Sequence, residues 1–262
     1  MSRDEDLARI KHALLEGGDV LARFSPSAVG VRYKATNSPV TEADMAVDRM
    51  LRATLPSADE GWLSEESPDD RARLTCRRVW IVDPLDGTRE FLEGIPHWTV
   101  AIGLAEHGDV VAGGVYNPST HELFLGTRET GTTLNGEPVH VSAQASLTGA
   151  TVLTNRWALR KRPAELERKG FAIRKVDALA YSLALIACGR ADALWSRSPK
   201  AEWDTAAGVA LIAGAGGIAT DYQGRPLRFN AWPPRGPGLI ATSTAIRADV
   251  RRCIARLPRP RS

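Results

Sequence analysis

The sequence has no run of 18 uninterrupted apolar residues, so nothing in it reads as a membrane-spanning helix. Its start, Met1-Ser2-Arg3-Asp4-Glu5-Asp6, carries acids where a secretory signal would carry a cationic flank and an apolar stretch, and the expectation is a cytoplasmic protein. Cysteine is scarce. Cys76, Cys188 and Cys253 are odd in number, far apart and without a C-x-x-C, which argues against a disulfide framework or a zinc spacing and leaves reduced, packed thiols. The five histidines are equally scattered, so soft-metal chemistry and a Cys/His nucleophile lack the residues they need. Neither sign of charge dominates. Thirty-four Lys+Arg against 31 Asp+Glu leave +3, too little to point to nucleic acid, although a local cluster could hold a phosphorylated ligand.

What is present is an ordinary globular composition, 262 residues with 43% hydrophobic and 25% charged, long enough for one large core or two modest ones. Leu7, Ile10, Leu14 and Leu15 share a helical face over Asp4 to Phe24, with an interruption expected at Gly17-Gly18. Thr41 opens a second helix, whose Val47, Met50, Leu51 and Leu55 recur until Pro56. The period then changes: Val79 to Val82, Thr99 to Leu104, Val110 to Tyr116 and Glu122 to Leu125 are short β-rich runs, and Asn135-Gly136 is a hairpin signal. This half predicts an α+β layer with an antiparallel sheet. Strands at Val152 to Thr154, Ala193 to Trp195, Ile218 to Thr220 and Leu239 to Thr242 then alternate with helices over Asp177 to Gly189 and Asp204 to Ala213. A terminal helix from about Ala245 to Arg256 precedes a Pro/Arg-rich tail, Pro258 to Ser262, expected to fray. The expected division is an α+β subdomain over 1–140 and an α/β subdomain over 141–262.

The chemistry concentrates in Val79-Trp80-Ile81-Val82-Asp83-Pro84-Leu85-Asp86-Gly87-Thr88. An apolar strand runs into one acid, Pro84 stiffens the chain, a second acid follows three residues on, and Gly87 permits a sharp turn. Two carboxylates at the end of a buried strand are costly unless a cation neutralises them; the competing reading is a solvated Asp-Pro turn. Glu65-Glu66 lies just upstream, as a further ligand source or as a charged loop. Asp204, in Trp203-Asp204-Thr205-Ala206-Ala207-Gly208, and Asp44, in Thr41-Glu42-Ala43-Asp44, could equally be helix-capping residues. Jointly, Glu65, Asp83, Asp86 and Asp204 make a hard, all-oxygen site suited to Mg²⁺ or Mn²⁺, as two-metal phosphoester hydrolysis requires.

Asp83-Pro84-Leu85-Asp86-Gly87-Thr88, preceded by Glu65-Glu66 and followed by Trp203-Asp204-Thr205-Ala206-Ala207-Gly208, resembles the inositol monophosphatase superfamily of Mg²⁺-dependent, lithium-sensitive phosphatases. The resemblance spans the chain from Lys34 and Thr41 through the α/β half. It implies a layered αβαβα sandwich of the inositol monophosphatase and fructose-1,6-bisphosphatase type. It also implies two or three Mg²⁺ ions. Glu65, Asp83, the Leu85 carbonyl and the Thr88 hydroxyl would surround the first. Asp83, Asp86 and Asp204 would hold the second, and Glu65 would help with a weaker third. Asp44 and Thr88 would orient and deprotonate the attacking water, with the phosphate against backbone N–H groups at Gly87-Thr88. Family members are often homodimers.

Arg89-Glu90-Phe91 is similar to the Lys/Arg-Glu-Phe continuation of 3′(2′),5′-bisphosphate nucleotidases, and Asp221 to Phe229 also resembles that branch. Seven residues before Asp204, where inositol-hydrolysing relatives tend to place an acid, stands Arg197. With Lys200 it could bind the second phosphate of a bisphosphate nucleotide. The expected reaction is removal of the 3′-phosphate of 3′-phosphoadenosine 5′-phosphate to give AMP, clearing an inhibitory by-product where sulfate is assimilated. The competing readings are a phosphatase of inositol or other polyol monophosphates, and a regulatory binding protein contacting RNA or the transcription machinery through the Arg-rich segment Arg156 to Arg168. The expected partner is a small phosphorylated molecule, not a membrane or nucleic acid.

Overall fold

The computed structural model describes residues 2–34, 39–156 and 170–255. Within the Arg-rich segment, everything after Arg156 lies outside these residues, as does the tail. Helix α1 (Arg3–Leu21) starts at a reciprocal capping box between Ser2 and Glu5 and buries Ile10, Ala13, Leu14 and Leu21. It continues through Gly17-Gly18, where the sequence predicted a break. A Cβ on Gly18 would stand 2.4 Å from the Tyr116 ring, so this glycine serves close approach to the sheet rather than an end to the helix. A short hairpin, β1 (Val31–Tyr33) and β2 (Pro39–Thr41), leads into α2 (Glu42–Thr54), which begins at the Thr41/Asp44 capping box.

Both helices cover one face of a seven-stranded sheet. Its strands are β3 (Gly61–Ser64), β4 (Arg78–Asp86), β5 (Thr99–Glu106), β6 (Asp109–Asn117), β7 (Glu122–Thr127), β8 (Gly131–Leu134) and β9 (Glu137–Val139), paired in chain order. All pairs are antiparallel except β3 with β4. Asn135 and Gly136 both adopt positive φ in the two-residue turn between β8 and β9. Short α3 (Thr88–Leu92) follows β4.

The second half forms a five-stranded mixed sheet, in spatial order β11 (Ala172–Lys175), β10 (Thr151–Thr154), β12 (Ala193–Ser196), β16 (Leu239–Thr242), β14 (Ile218–Thr220). A two-stranded pair, β13 (Lys200–Ala201) with β15 (Arg235–Gly236), lies apart from it. Helices α4 (Leu179–Ala187) and α5 (Ala206–Gly214) are apolar nearly all round and lie between the two sheets, packed on Val115 and Phe124 on one side and on Leu153, Leu194 and Ala241 on the other. Helix α6 (Arg247–Ala255) buries Val250, Cys253 and Ile254 on the outer face. The order of layers is αβαβα. Among the described residues the three cysteines form no disulfide with one another, and no helix is long and apolar enough to cross a membrane.

Glu60 fastens α1 to β4. Its carboxylate accepts hydrogen bonds from Arg9 (2.7 Å), Arg78 (3.0 Å), Trp80 Nε1 (2.9 Å) and the Ser57 N–H (3.0 Å). Burial alone would raise this carboxyl, but the four donors hold it at about 2 instead of the ordinary 4.5. The depressed pKa contributes stability that is complete above the ordinary value and lost as pH falls towards about 2. Glu60→Gln is therefore expected to cost about 3 kcal/mol at neutral pH and to flatten the acid limb of the melting temperature against pH, measured by calorimetry.

Candidate active site

The end of β4 aims the acids. Trp80 and Val82 face the α1/α2 layer while Val79 and Ile81 face the opposite side, so the strand is buried on both faces up to Asp83. Asp83 still pairs with Ala101, but the register then slips, with Asp86 opposite Thr99. This bulge falls at Pro84, which has no N–H to give the ladder, and it re-aims both carboxylates. Gly87 (φ +91°) then turns the chain into α3.

Other elements bring the remaining acids to this point. Because β3 runs parallel to β4 with Ser64 opposite Val82, the next residue, Glu65, emerges beside Asp83. Asp204 arrives from the other half of the chain, just ahead of α5. One carboxylate oxygen each of Glu65, Asp83 and Asp204 lies within 4.8 Å of the others. Asp86 completes the group, its carboxylate accepting from the Leu179 and Tyr181 N–H groups at the start of α4 (3.0 and 3.2 Å). Lys34 Nζ stands 2.7 Å from both Glu65 and Glu66.

The electrostatics match this crowding. Burial first, then the charges of Glu65, Asp86 and Asp204, push the Asp83 carboxyl well above its ordinary range. Burial and Asp204 do the same to Asp86, and burial with Glu65 lifts Asp204 to about 7, against the opposing pull of Lys200. A divalent cation is the partner such a set lacks, and an oxygen-only donor set fits Mg²⁺ or Mn²⁺ rather than a soft metal.

Beside the acids, the Thr88 hydroxyl lies 3.1 Å from Asp44 Oδ1 and 3.1 Å from the Leu85 carbonyl oxygen, and its one proton can go to only one of them. Asp44 is buried and held by the Thr41 N–H (2.8 Å) and hydroxyl; burial raises its pKa although these bonds oppose it. A cleft of about 220 Å³ opens over the whole group. Glu65, Asp83, Leu85, Asp86, Gly87, Thr88, Arg89 and Asp204 all line it, and Asp44 stands directly behind Thr88.

Two residues expected at the substrate are placed elsewhere. The chain leaving β12 carries Arg197 towards α6, where its guanidinium donates to the Ile254 carbonyl (2.6 Å) and lies over the Tyr222 ring. Lys200 does not line the cleft either, and its charge acts on Asp204. The cleft is also lined by Glu90, Asn155, Arg156 and Asp177, none of which the motifs singled out as site residues. Arg156 donates to Asp177 (2.5 Å), Glu90 (2.8 Å) and Glu93 (3.2 Å). Burial and the hydrogen bond to Asp177 push Glu90 up to about 7. Burial opposes ionisation of Asp177, but the bonds from Glu90 and Arg156 hold its carboxyl low.

A family model described as the inositol monophosphatase family matches residues 4–254. The chain belongs to the inositol monophosphatase family. It is thus a member of a phosphatase family that is metal-dependent, usually on Mg²⁺. It is 34% identical over 238 residues to an inositol-1-monophosphatase of Rhizobium meliloti (strain 1021), covering 86% of this chain and 88% of that one. It is 32% identical over 255 residues to a histidinol-phosphatase of Chlorobaculum parvum, covering 94% of each. Among solved structures, the extragenic suppressor protein suhB from Bartonella henselae superposes with a TM-score of 0.83 at 29% identity, covering 97% of this chain and 99% of that one.

Proposed function

We propose that this chain is a Mg²⁺-dependent phosphomonoesterase that hydrolyses a small polyol-type monophosphate. The observation that carries the reading is the convergence of Glu65, Asp83 and Asp204 in the lining of a cleft that Thr88 also lines. When bound there, divalent ions supply Lewis acidity at the ester and lower the pKa of water beside it. Glu65, Asp83, the Leu85 carbonyl and Thr88 would hold one ion, and Asp83, Asp86 and Asp204 another. Thr88, fixed by Asp44, orients the attacking water, and Asp44 takes up its proton through that hydrogen bond. Backbone N–H groups at Gly87 and Thr88 receive the phosphate, with Arg89 alongside.

Release of phosphate from inositol 1-phosphate, histidinol phosphate and a nucleoside 3′,5′-bisphosphate at equal Mg²⁺ tests the reading. At least one ester is expected to turn over and to stop on chelation; turnover that survives rigorous chelation defeats it. Thr88→Ala is expected to lower kcat by about 100-fold with little change in KM, because water is oriented only on the way to the transition state.

A second reading, the 3′-phosphate of 3′-phosphoadenosine 5′-phosphate, keeps the support of Arg89-Glu90-Phe91 and of Arg89 at the cleft, but not of Arg197. The same panel ranks the two. A purely regulatory binding role is disfavoured, since recognition of a partner does not require a complete set of buried acids.

A further inference from the structure

Asp44 and Asp48 stand about one helical turn apart on α2, so they share a face of the helix, and both are buried. Asp44 reaches Thr88; Asp48 reaches the segment that carries Glu65. Asp48 Oδ1 accepts the Ser64 hydroxyl and Oδ2 the Ser67 hydroxyl, each at 2.5 Å. These two serines flank Glu65-Glu66. Each hydroxyl gives its one proton to Asp48 and keeps lone pairs for donors of its own. Trp62 Nε1 donates to Ser67 (3.3 Å), and the Glu66 backbone N–H donates to Ser64 (3.4 Å). All four directions agree only if Asp48 accepts at both oxygens, which a carboxylate does and an amide cannot. The helix that holds Asp48 is itself seated on β4, with Val47 and Leu51 in one core with Trp80 and Val82. The same strand delivers Asp83.

We infer that Asp48 is a positioning residue for the metal centre: by clamping Ser64 and Ser67 from α2, it fixes the Glu65-Glu66 segment so that the Glu65 carboxylate meets Asp83 and Asp204. The inference rests on the phosphomonoesterase reading and deepens its account of the ion site. Asp48 does not line the cleft and acts through the two serines. One rigid helix thereby registers two parts of the site, Asp44 for the Thr88 hydroxyl and Asp48 for Glu65. A carboxylate held in place before the ion arrives binds it at less ordering cost.

Mn²⁺ binding to the full chain, read without substrate from the electron paramagnetic resonance of the free ion, tests the clamp. The variants are Asp48→Asn, Ser67→Ala and the two combined, with Glu65→Gln to mark which ion position uses Glu65. Asp48→Asn removes a charge as well as a bond, whereas Ser67→Ala, at a half-buried residue, removes the bond and keeps the charge. Each is expected to weaken the Glu65-dependent position on the order of ten-fold and to leave the position held by Asp83, Asp86 and Asp204 within about two-fold of wild type. The combined variant should bind little worse than Asp48→Asn alone, because both changes break one connection. A merely structural role would lower the urea midpoints and leave both affinities unchanged, which overturns the clamp. So does wild-type binding by Ser67→Ala, since Asp48 would then act through its charge, and so does an equal loss at both positions. A wild type that binds no Mn²⁺ overturns the metal centre itself, and the clamp with it. Turnover in Mg²⁺ separately decides whether the chain is a phosphomonoesterase.

Discussion

Asp83→Asn is expected to cut phosphate release by about 1,000-fold or more and, in the same molecule, to raise thermal stability in chelator-treated protein. The two effects share one cause. Asp83 sits at the end of a strand buried on both faces, with Glu65, Asp86, Asp204 and Asp44 all acting on it with the same sign of charge. Without a cation, this arrangement costs folding free energy, and replacing one carboxylate by an amide of the same shape relieves about 1–2 kcal/mol of it. With Mg²⁺, the sign reverses. Wild type gains stability by mass action, about 2.7 kcal/mol at a hundred-fold excess over Kd, while the variant lacks the ligand shared between both ion positions and gains much less. Thermal unfolding of both proteins, with chelator and with Mg²⁺, therefore gives melting curves that change order. A variant less stable than wild type in chelator would mean that the acids do not repel one another there, and near-normal turnover would remove Asp83 from the metal centre.

The clustering of these acids was legible in the sequence because they lie in short, rigid motifs. The Asp83-to-Thr88 run is a strand end, a bulge and a turn in succession, so six residues specify both where the acids are and that they cannot be solvated independently. Asp44 reads first as a helix-capping residue, and it is one, since Thr41 and Asp44 form the box; the same carboxylate uses its second oxygen for Thr88. The Glu90–Arg156–Asp177 cluster was not legible. The sequence shows Glu90 only within Arg89-Glu90-Phe91 and Arg156 only at the head of the Arg-rich segment, and the contacts that join them to each other and to Asp177 span 66 and 21 residues, which no motif spacing reveals. Arg197 misled because its distance from Asp204 along the chain carries no information about direction: the strand it leaves points it at α6. In the fold, β3 and β11 were missed because four residues of mixed polarity carry no period of their own; their partners in the sheet define them.

Gly113→Val is expected to cost about 3 kcal/mol of stability and to weaken Mg²⁺ binding, although the residue lies far along the chain from every ligand. Gly103 on β5 and Gly113 on β6 face each other across the sheet, and the first turns of α5 rest on this bare patch. A Cβ on Gly113 would come within 2.6 Å of the Ala207 carbonyl oxygen and 2.9 Å of the Ala210 Cβ, contacts that backbone cannot yield without moving the helix. Asp204 precedes that helix by two residues, and Thr205 and Ala206 are tied to the Glu202 carbonyl, so a displaced α5 carries the carboxylate away from Glu65 and Asp83. Leu211→Ala is the control. It empties space on the buried face of the same helix and is expected to cost a similar 2–5 kcal/mol without forcing the helix off the sheet. Urea midpoints should therefore fall for both variants, while the Mg²⁺-induced rise in melting temperature should shrink for Gly113→Val and persist for Leu211→Ala. Equal loss of that rise in both would tie metal binding to overall stability and not to where the glycine pair seats the helix.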